Sequence, residues 1–263
     1  MKKTLLLIPA IAVAMAACGD RQQSGNGFAT DSVTFEQTTK SEEVTLYADY
    51  PTAGNPILTG AIAEYISESM GGTYEGSLEN GDSLMAYYGT GIAKKLRAEY
   101  EDVGDNDRPP YAYSMEIRKE HETGKTVTYT ARSYSYMGGA HGMSTKRGTT
   151  FRKTDGRRFS TDMLRNTDTE EFRKLIKEGL RTYFKEEGEE PADDGQLKEM
   201  LLTENSVDYL PLPQFAPYLT KDGVAFVYQQ YEIAPYAAGM PAFTIPYDKI
   251  KPYLTVTGLG MIE

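Results

Sequence analysis

The first residues suited to chemistry lie in a short glycine-rich stretch, residues 134–141, which reads Tyr-Ser-Tyr-Met-Gly-Gly-Ala-His. Gly138 and Gly139 leave the backbone before His141 free to adopt unusual conformations. A histidine in such a setting can act as a general base, contact a ligand or hold a turn by hydrogen bonding. Ser144 follows three residues later, but the chain has no Gly-x-Ser-x-Gly motif, and catalytic triads are recognised by geometry rather than by spacing. The three roles of His141 therefore stay open.

A second stretch, residues 231–247, contains four aromatic residues, three prolines and one glycine but only one charged residue. Tyr231, Pro235, Tyr236 and Gly239 lie in its first half. Tyrosine on a rigid loop offers a large contact area at low entropic cost and carries a polar tip, which suits molecular recognition. The alternative is that these tyrosines belong to the core face of a sheet, and the sequence does not decide between the two.

The N-terminus has the pattern of an export signal. Two lysines are followed by a short apolar run and small residues, which is typical of a secretory signal peptide and too short for a transmembrane helix. Met15-Ala-Ala-Cys18 looks like a lipobox, the cleavage and acylation site of bacterial lipoproteins. We therefore expect residues 1–17 to be a signal peptide and Cys18 to be lipidated, anchoring the protein to the membrane of the cell envelope. The alternative is plain cleavage near Ala17.

Cys18 is the only cysteine, so the folded part has no thiol for a disulfide, a cysteine-based zinc site or a cysteine nucleophile. The two histidines, His121 and His141, form no two-histidine metal motif, and we expect His121 to be exposed to solvent on a charged strand. The sequence predicts no metal site, no cofactor and no catalytic residue.

The charge balance is acidic. The chain has 28 Lys and Arg residues against 38 Asp and Glu residues, and removal of Lys2 and Lys3 with the signal leaves 26 basic residues and a net charge of −12. This balance disfavours nucleic acid as a partner, because nucleic-acid binders carry basic faces. It favours encounter with a basic protein through long-range attraction, although solubility alone is an alternative explanation.

Hydrophobic periodicity and turn residues predict the elements that position these stretches. Residues 18–31 form a polar tether that includes the lipidated cysteine, and residues 32–150 form an N-terminal α+β subdomain. In that subdomain Asn55-Pro56 starts a helix, and a second helix contains Gly89 and Gly91, each costing about 1 kcal/mol relative to alanine.

Residues 151–263 form a C-terminal α+β subdomain, whose main helix opens at a Thr167–Glu170 capping box. The alternating segments on either side of Gly124 form a hairpin that leads to the first stretch, and a hairpin over residues 215–230 leads into the second. Runs of strands and helices, rather than strict alternation, predict an α+β fold of two packed subdomains with antiparallel sheets and flanking helices.

Four segments together resemble a known family. They are Tyr136-Met-Gly-Gly-Ala-His-Gly142, Asp155-Gly-Arg-Arg-Phe159, Tyr231-Glu-Ile-Ala-Pro-Tyr-Ala-Ala-Gly239 and Phe243-Thr-Ile-Pro-Tyr247. In this order they resemble the extracytoplasmic domains of the anti-sigma factor RsiV and, outside its catalytic domain, of the peptidoglycan deacetylase PdaC. The resemblance runs from about Val33 to Leu254.

The resemblance implies two packed α+β halves with no catalytic role. Because this region of RsiV is a receptor for lysozyme, it also implies protein binding, with Tyr231, Pro235, Tyr236 and Gly239 as contacts and His141 close by. The chain departs from RsiV in having a lipobox in place of the cytoplasmic segment and membrane span, and it departs from PdaC in lacking a deacetylase domain. Control of a sigma factor is therefore not implied.

The leading hypothesis is a non-enzymatic envelope lipoprotein that binds lysozyme or a cell-wall component. Its predicted ligand-binding residues are His141, Gly138, Gly139, Tyr231, Pro235, Tyr236 and Gly239. The alternatives are a peptidoglycan-modifying hydrolase that uses His141 and a purely structural envelope protein. The expected location is the periplasmic face of a membrane or the cell surface.

Overall fold

The structure is a computed structural model that describes residues 27–104, 108–185, 190–203 and 206–262. The predicted signal peptide, Cys18 and most of the predicted tether lie outside the described residues. In the part that is described, no helix combines the length and the apolar character needed to cross a membrane.

The first half of the fold is a five-stranded sheet with two helices on one face. Its strands lie in chain order, β1 (Ala29–Thr38), β2 (Glu42–Ala53), β3 (Tyr111–Glu122), β4 (Thr126–Tyr136) and β5 (Met143–Arg152). All neighbouring strands are antiparallel except β2 and β3, which are parallel. Parallel neighbours need a long crossover, and helices α1 (Pro56–Ser69) and α2 (Gly81–Asp102) supply it. The sheet is therefore mixed rather than wholly antiparallel, which corrects one detail of the predicted α+β fold.

Local signals explain how the two helices begin and pack. The side chain of Asn55 accepts a hydrogen bond from the N–H of Ile57, which caps α1 as its Asn-Pro start predicts. Gly89, which looked only destabilising in the sequence, has a packing role, because a Cβ there would clash with the ring of Phe35 on β1. The apolar face of β3 packs in the same core, as its alternation predicts, with Tyr111, Met115 and Ile117 buried.

The second half has its own core, built on a small antiparallel sheet in which β7 is central. Its strands are β6 (Tyr218–Leu219), β7 (Gly223–Val227) and β8 (Ala242–Pro246). Its helices are α3 (Glu170–Tyr183), α4 (Asp194–Met200), α5 (Tyr247–Ile250) and α6 (Val256–Ile262), and short 3-10 turns cover Thr161–Met163, Val207–Tyr209, Tyr236–Ala238 and Lys251–Tyr253. With two sheets and flanking helices, the fold is α+β, as predicted.

Helix α3 starts two residues later than its sequence signal indicates. The cap is Thr169, whose Oγ1 accepts a hydrogen bond from the N–H of Phe172, rather than Thr167. Asn166 just before it takes a positive φ of 54°, which turns the chain into the helix. The predicted apolar stripe of α3 is buried in the second core through Phe172, Ile176 and Leu180.

The two halves are joined where β5 meets β6. The N–H of Leu219 donates to Oγ1 of Thr150, and Oγ1 of Thr128 donates to the carbonyl of Leu219, each at 2.8 Å. Thr128 and Thr150 are also bonded to each other across β4 and β5 at 2.7 Å. These buried bonds hold the second sheet against the outer face of the first.

Candidate functional site

The two stretches singled out in the sequence meet at the end of β5. The first forms the loop between β4 and β5, and the second follows β7 and leads into β8. Oε1 of Gln229 accepts from the N–H of Lys146 at 3.0 Å, and Nε2 of Gln229 donates to the carbonyl of Lys146 at 2.8 Å. Oε1 of Gln230 accepts from the N–H of Ser144 at 2.7 Å. Two glutamine side chains therefore bond to β5 as a neighbouring strand would and bring the loops together.

His141 and Tyr236 are in direct contact. Their rings stack with centroids 3.8 Å apart and planes 20° apart. The hydroxyl of Tyr236 donates to the carbonyl of Gly142 at 2.9 Å, and Nδ1 of His141 lies 3.2 Å from the same oxygen. His141 is exposed and Tyr236 is half-buried. The stack therefore presents one edge of the imidazole to solvent, and hydrogen bonds to the carbonyl of Gly142 hold the stacked rings in place.

Tyr231 occupies a turn position that normally belongs to glycine. The N–H of Glu232 donates to the carbonyl of Gln229 at 3.1 Å, which closes the turn, and Tyr231 within it has a φ of 64°. The carboxylate of Glu232 holds the turn by accepting hydrogen bonds from the N–H groups of Gln229 and Gln214. Tyr231 is 49% exposed, and the centroid of its ring lies 5.8 Å from that of Tyr236.

Further exposed apolar side chains surround this cluster. Tyr134 on β4 lies over Gly142, where a Cβ would clash with its ring. Met143 follows Gly142 in the chain, and Met137 lies at the start of the loop; Tyr134 and both methionines are exposed. We call the set of Tyr134, His141, Tyr231 and Tyr236, with Met137 and Met143 at its margin, the aromatic surface. The methionines were not predicted as site residues, although they lie beside the predicted glycine-rich loop.

The predicted glycines and proline shape the two loops. Gly138 and Gly139 take φ values of 88° and 87°, and the carbonyl of Gly139 accepts from the hydroxyl of Tyr136 at 3.2 Å. Pro235 is exposed and leads into the 3-10 turn that carries Tyr236.

Gly239 ends that 3-10 turn with a φ of 71° and lies beside Tyr183 of α3 rather than beside the stacked rings. The hydroxyl of Tyr183 donates to the carbonyl of Ala238 at 2.7 Å, which anchors the end of the loop to the second core. Of the seven predicted ligand-binding residues, His141, Tyr231 and Tyr236 therefore form one cluster, and the other four set the backbone around it.

The surroundings of His141 suit contact better than nucleophilic catalysis. Among the described residues, His141 makes no hydrogen bond with Ser144 or with a carboxylate, so a nucleophile–base–acid arrangement is not formed around it. The N–H of Ser144 is held by Gln230 instead. Within the same ranges, no group of three His, Cys, Asp or Glu side chains is placed to hold a metal ion. His121, expected to be exposed, is half-buried at the margin of a separate cleft.

Comparison with known proteins relates the chain to one family. Residues 161–248 match the model of the family described as "Protein of unknown function (DUF3298)". The matched segment includes the stretch from Tyr231 to Gly239 but begins after His141. Among curated proteins, none shows significant similarity to this chain.

Two solved structures described as members of the DUF3298 family share the fold. One, from Bacteroides fragilis NCTC 9343, superposes with a TM-score of 0.72 at 18% identity and covers 92% of this chain and 99% of its own. The other, from Pseudomonas aeruginosa PAO1, gives a TM-score of 0.59 at 18% identity over 88% of this chain and 95% of its own. At this identity the comparison establishes a common fold across both halves of the chain.

Proposed function

We propose that the aromatic surface is the ligand-binding surface of an exported lipoprotein that is anchored to the cell envelope through Cys18. The proposed partner is a basic protein of the lysozyme type, the ligand that the resemblance to the RsiV domain implies. The observation that carries the proposal is Tyr231, a large aromatic residue held half-exposed at a turn position where glycine would be relaxed.

The backbone conformation of Tyr231 costs the protein stability. A non-glycine residue in the left-handed region costs roughly 1–2 kcal/mol, and conformations of this kind cluster at functional sites. The turn keeps this conformation because Glu232 bonds two backbone N–H groups around it. Binding by the ring would explain why a tyrosine rather than a glycine stands here.

The composition of the surface also supports recognition of a protein. Tyrosine is enriched among the residues that dominate binding energy, and an exposed cluster of apolar side chains marks an interaction surface more often than it is accidental. The ring of Tyr236 contacts the rings of both His141 and Tyr231, so less side-chain entropy remains to be lost on binding.

Charge supports a basic partner. The full chain carries a formal net charge of −10, and removal of Lys2 and Lys3 with the signal peptide makes it −12, which would attract a cationic protein and raise its rate of association. This attraction is long-range and screened by salt, since the Debye length is about 8 Å at physiological ionic strength. Binding through the aromatic surface should therefore weaken, but not vanish, as salt is raised.

The test is a binding assay that reproduces the proposed orientation. The protein is produced without its signal peptide and without lipidation, so that Cys18 keeps a free thiol; it is biotinylated on that thiol, immobilised and exposed to lysozyme at low and at physiological salt. We expect Tyr236→Ala and Tyr231→Gly each to weaken binding by about tenfold or more, which corresponds to about 1.4 kcal/mol. The matched control is Tyr209→Ala, because Tyr209 is 62% exposed but lies in the 3-10 turn before β6.

Two results would overturn the lysozyme proposal. One is no retention of lysozyme even at low salt, and the other is an equal loss of binding in the Tyr209 control. Sedimentation with insoluble peptidoglycan provides a parallel arm. Retention by peptidoglycan that Tyr231→Gly abolishes, without retention of lysozyme, would reassign the aromatic surface to a cell-wall ligand.

A further inference from the structure

A second cleft, of about 300 Å³, lies between the outer face of the first sheet and the β6–β7 hairpin. Its walls are held by contacts between the two halves of the chain. The ring of Tyr218 lies against Gly148 so closely that a Cβ there would clash with it. The backbone of Leu219 is bonded to Thr128 and Thr150. The cleft is thus preformed by buried contacts.

Two cations face each other inside this cleft. Arg132 on β4 and Lys146 on β5 are directly opposed in the strand register, and both line the cleft. Like charges at directly opposed positions of neighbouring strands destabilise a sheet. Throughout the described ranges, no carboxylate oxygen lies within 4.0 Å of either side chain's nitrogens. On its other side Arg132 is directly opposed by Glu116 of β3, but that carboxylate forms an ion pair with Arg118. Within the described residues, Arg132 and Lys146 therefore have nearby carboxylates but no ion pair of their own.

The environment of Lys146 reflects this arrangement. Burial lowers the pKa of its ammonium group, and the nearby charge of Arg132 lowers that pKa further, whereas Glu120 acts in the opposite direction. A cation whose charged form is disfavoured gains from an anion that enters the cleft. The side chain of Gln229 holds the backbone of Lys146, so the Lys146 side chain extends towards a ligand from a fixed position.

The remaining charges of the cleft limit what it can hold. Lys221 adds a third cation, Glu120 and Asp222 contribute two carboxylates, and His121 lies at the margin. One oxygen of the Glu120 carboxylate accepts from Oγ1 of Thr130 at 2.8 Å. The three cations exceed the two carboxylates by one charge, which matches one monoanionic group better than a dianion.

We propose that this cleft binds a small carboxylate. The guanidinium of Arg132 presents a planar fork of donors suited to the two carboxylate oxygens, and Lys146 supplies a second charge-assisted hydrogen bond. Glu120 would accept an N–H next to that carboxylate, as at the C-terminus of a peptide. This site is distinct from the aromatic surface and does not depend on the proposed partner of that surface.

The experiment measures binding of two probes, sodium acetate and the dipeptide alanylalanine, to the whole mature protein. Saturation-transfer NMR on the methyl protons of each probe gives a dissociation constant, and chloride at matched ionic strength serves as the reference. We expect acetate to bind with a dissociation constant on the order of millimolar, which suits so small a ligand. Tighter binding of the dipeptide would identify the C-terminus of a peptide as the source of the carboxylate, and equal binding would identify a free acid.

Variants separate a built site from general attraction. Arg132→Gln and Lys146→Gln should each weaken acetate binding about fivefold or more, while Lys125→Gln, which removes a charge from the exposed β3–β4 turn, should leave it unchanged. Because Lys146→Gln removes a charge that is disfavoured by burial and by Arg132, this variant should unfold at a midpoint equal to or above that of the natural protein. Absence of acetate binding, or an equal loss in all three variants, would overturn the proposal. Neither result would bear on lysozyme binding by the aromatic surface.

Discussion

Replacing Tyr231 by glycine and by alanine gives the most direct test of the strained turn. Both variants remove the same aromatic ring and its contact with Tyr236, so the difference between them isolates the backbone. At a φ of 64° an alanine keeps the left-handed conformation and its cost of roughly 1–2 kcal/mol, whereas glycine adopts it freely. Glycine in turn loses about 0.4–1 kcal/mol through the greater entropy of its unfolded chain. We therefore expect the glycine variant to be more stable than the alanine variant by roughly 0.5–1 kcal/mol.

The assay is urea unfolding at 25 °C, followed by far-UV circular dichroism and by tyrosine fluorescence, since the chain has 20 tyrosines and no tryptophan. Equal slopes against urea in the two variants would show that the same surface is exposed on unfolding, so that the midpoints report stability. The same pair of substitutions at Tyr209 is the matched control, because that residue is exposed without a positive φ.

At Tyr209 the order should reverse, with alanine the more stable by about 0.5–1 kcal/mol, as at ordinary positions. If alanine were also the more stable at Tyr231, the turn would not hold a left-handed residue, and no backbone strain there could be linked to binding. If the order is as expected while Tyr231→Gly also loses its ligand, the aromatic ring is retained at the expense of stability.

Three other substitutions test features of the first sheet and of the contact between the loops and β5. Burial opposes ionisation of Glu42, but hydrogen bonds from Arg97, Ser41, Thr39 and Gln37 outweigh it and lower the pKa of this carboxyl from 4.5 to about 2. The stabilisation of the folded protein by this carboxylate is therefore complete above pH 4.5 and lost as pH falls towards 2. A pKa shift of this size corresponds to roughly 3 kcal/mol. We discount it to about 2 kcal/mol because the side chain of Arg97 is 47% exposed. Glu42→Gln should lower the free energy of unfolding at pH 7 by about that amount and flatten its dependence on pH in this window, and exposed Glu43→Gln is the control. Gly89→Ala should destabilise the protein by about 1–2 kcal/mol, because the added Cβ would clash with the ring of Phe35 on β1. Gly91→Ala, with open space around it, should stabilise the protein by up to about 1 kcal/mol. Equal effects of the two substitutions in thermal unfolding would contradict this packing. Gln229→Ala should lower the free energy of unfolding by about 2 kcal/mol, because it removes two hydrogen bonds to the backbone of β5. Amide hydrogen exchange should rise at the start of β5. Unchanged protection there would show that this side chain does not hold the strand.

Local signals in the sequence predict much of the fold. Asn55-Pro56 predicts the start of α1, and alternation around Gly124 predicts the β3–β4 hairpin, because both depend on residues close together in the chain. The parallel pairing of β2 and β3 could not be predicted this way, since it depends on the path of the α1–α2 crossover. Helix α6 was missed because Gly258 and Gly260 give its sequence low helix propensity, and its position depends on packing of Met261 in the second core.

The grouping of side chains in the aromatic surface could also be predicted only in part. Composition singled out the stretches around His141 and Tyr236, and the structure stacks these two side chains. Neither the positive φ of Tyr231 nor the role of Gln229 could be seen, because tyrosine is not a turn-forming residue and glutamine carries no mark of a partner 83 residues away. Arg132 and Lys146 were missed because their opposition appears only once β4 and β5 are in register.

The glutamine bonds to β5 have a consequence for solubility. An edge strand with free N–H and C=O groups is a template for pairing with another chain, and proteins commonly guard such edges. In this fold Gln229 and Gln230 occupy the hydrogen-bonding positions of Lys146 and Ser144 at the edge of the five-stranded sheet. The loop that presents Tyr231 thus also blocks intermolecular strand addition beside the aromatic surface, so the protein can expose tyrosines there without offering a neighbouring copy a strand to extend.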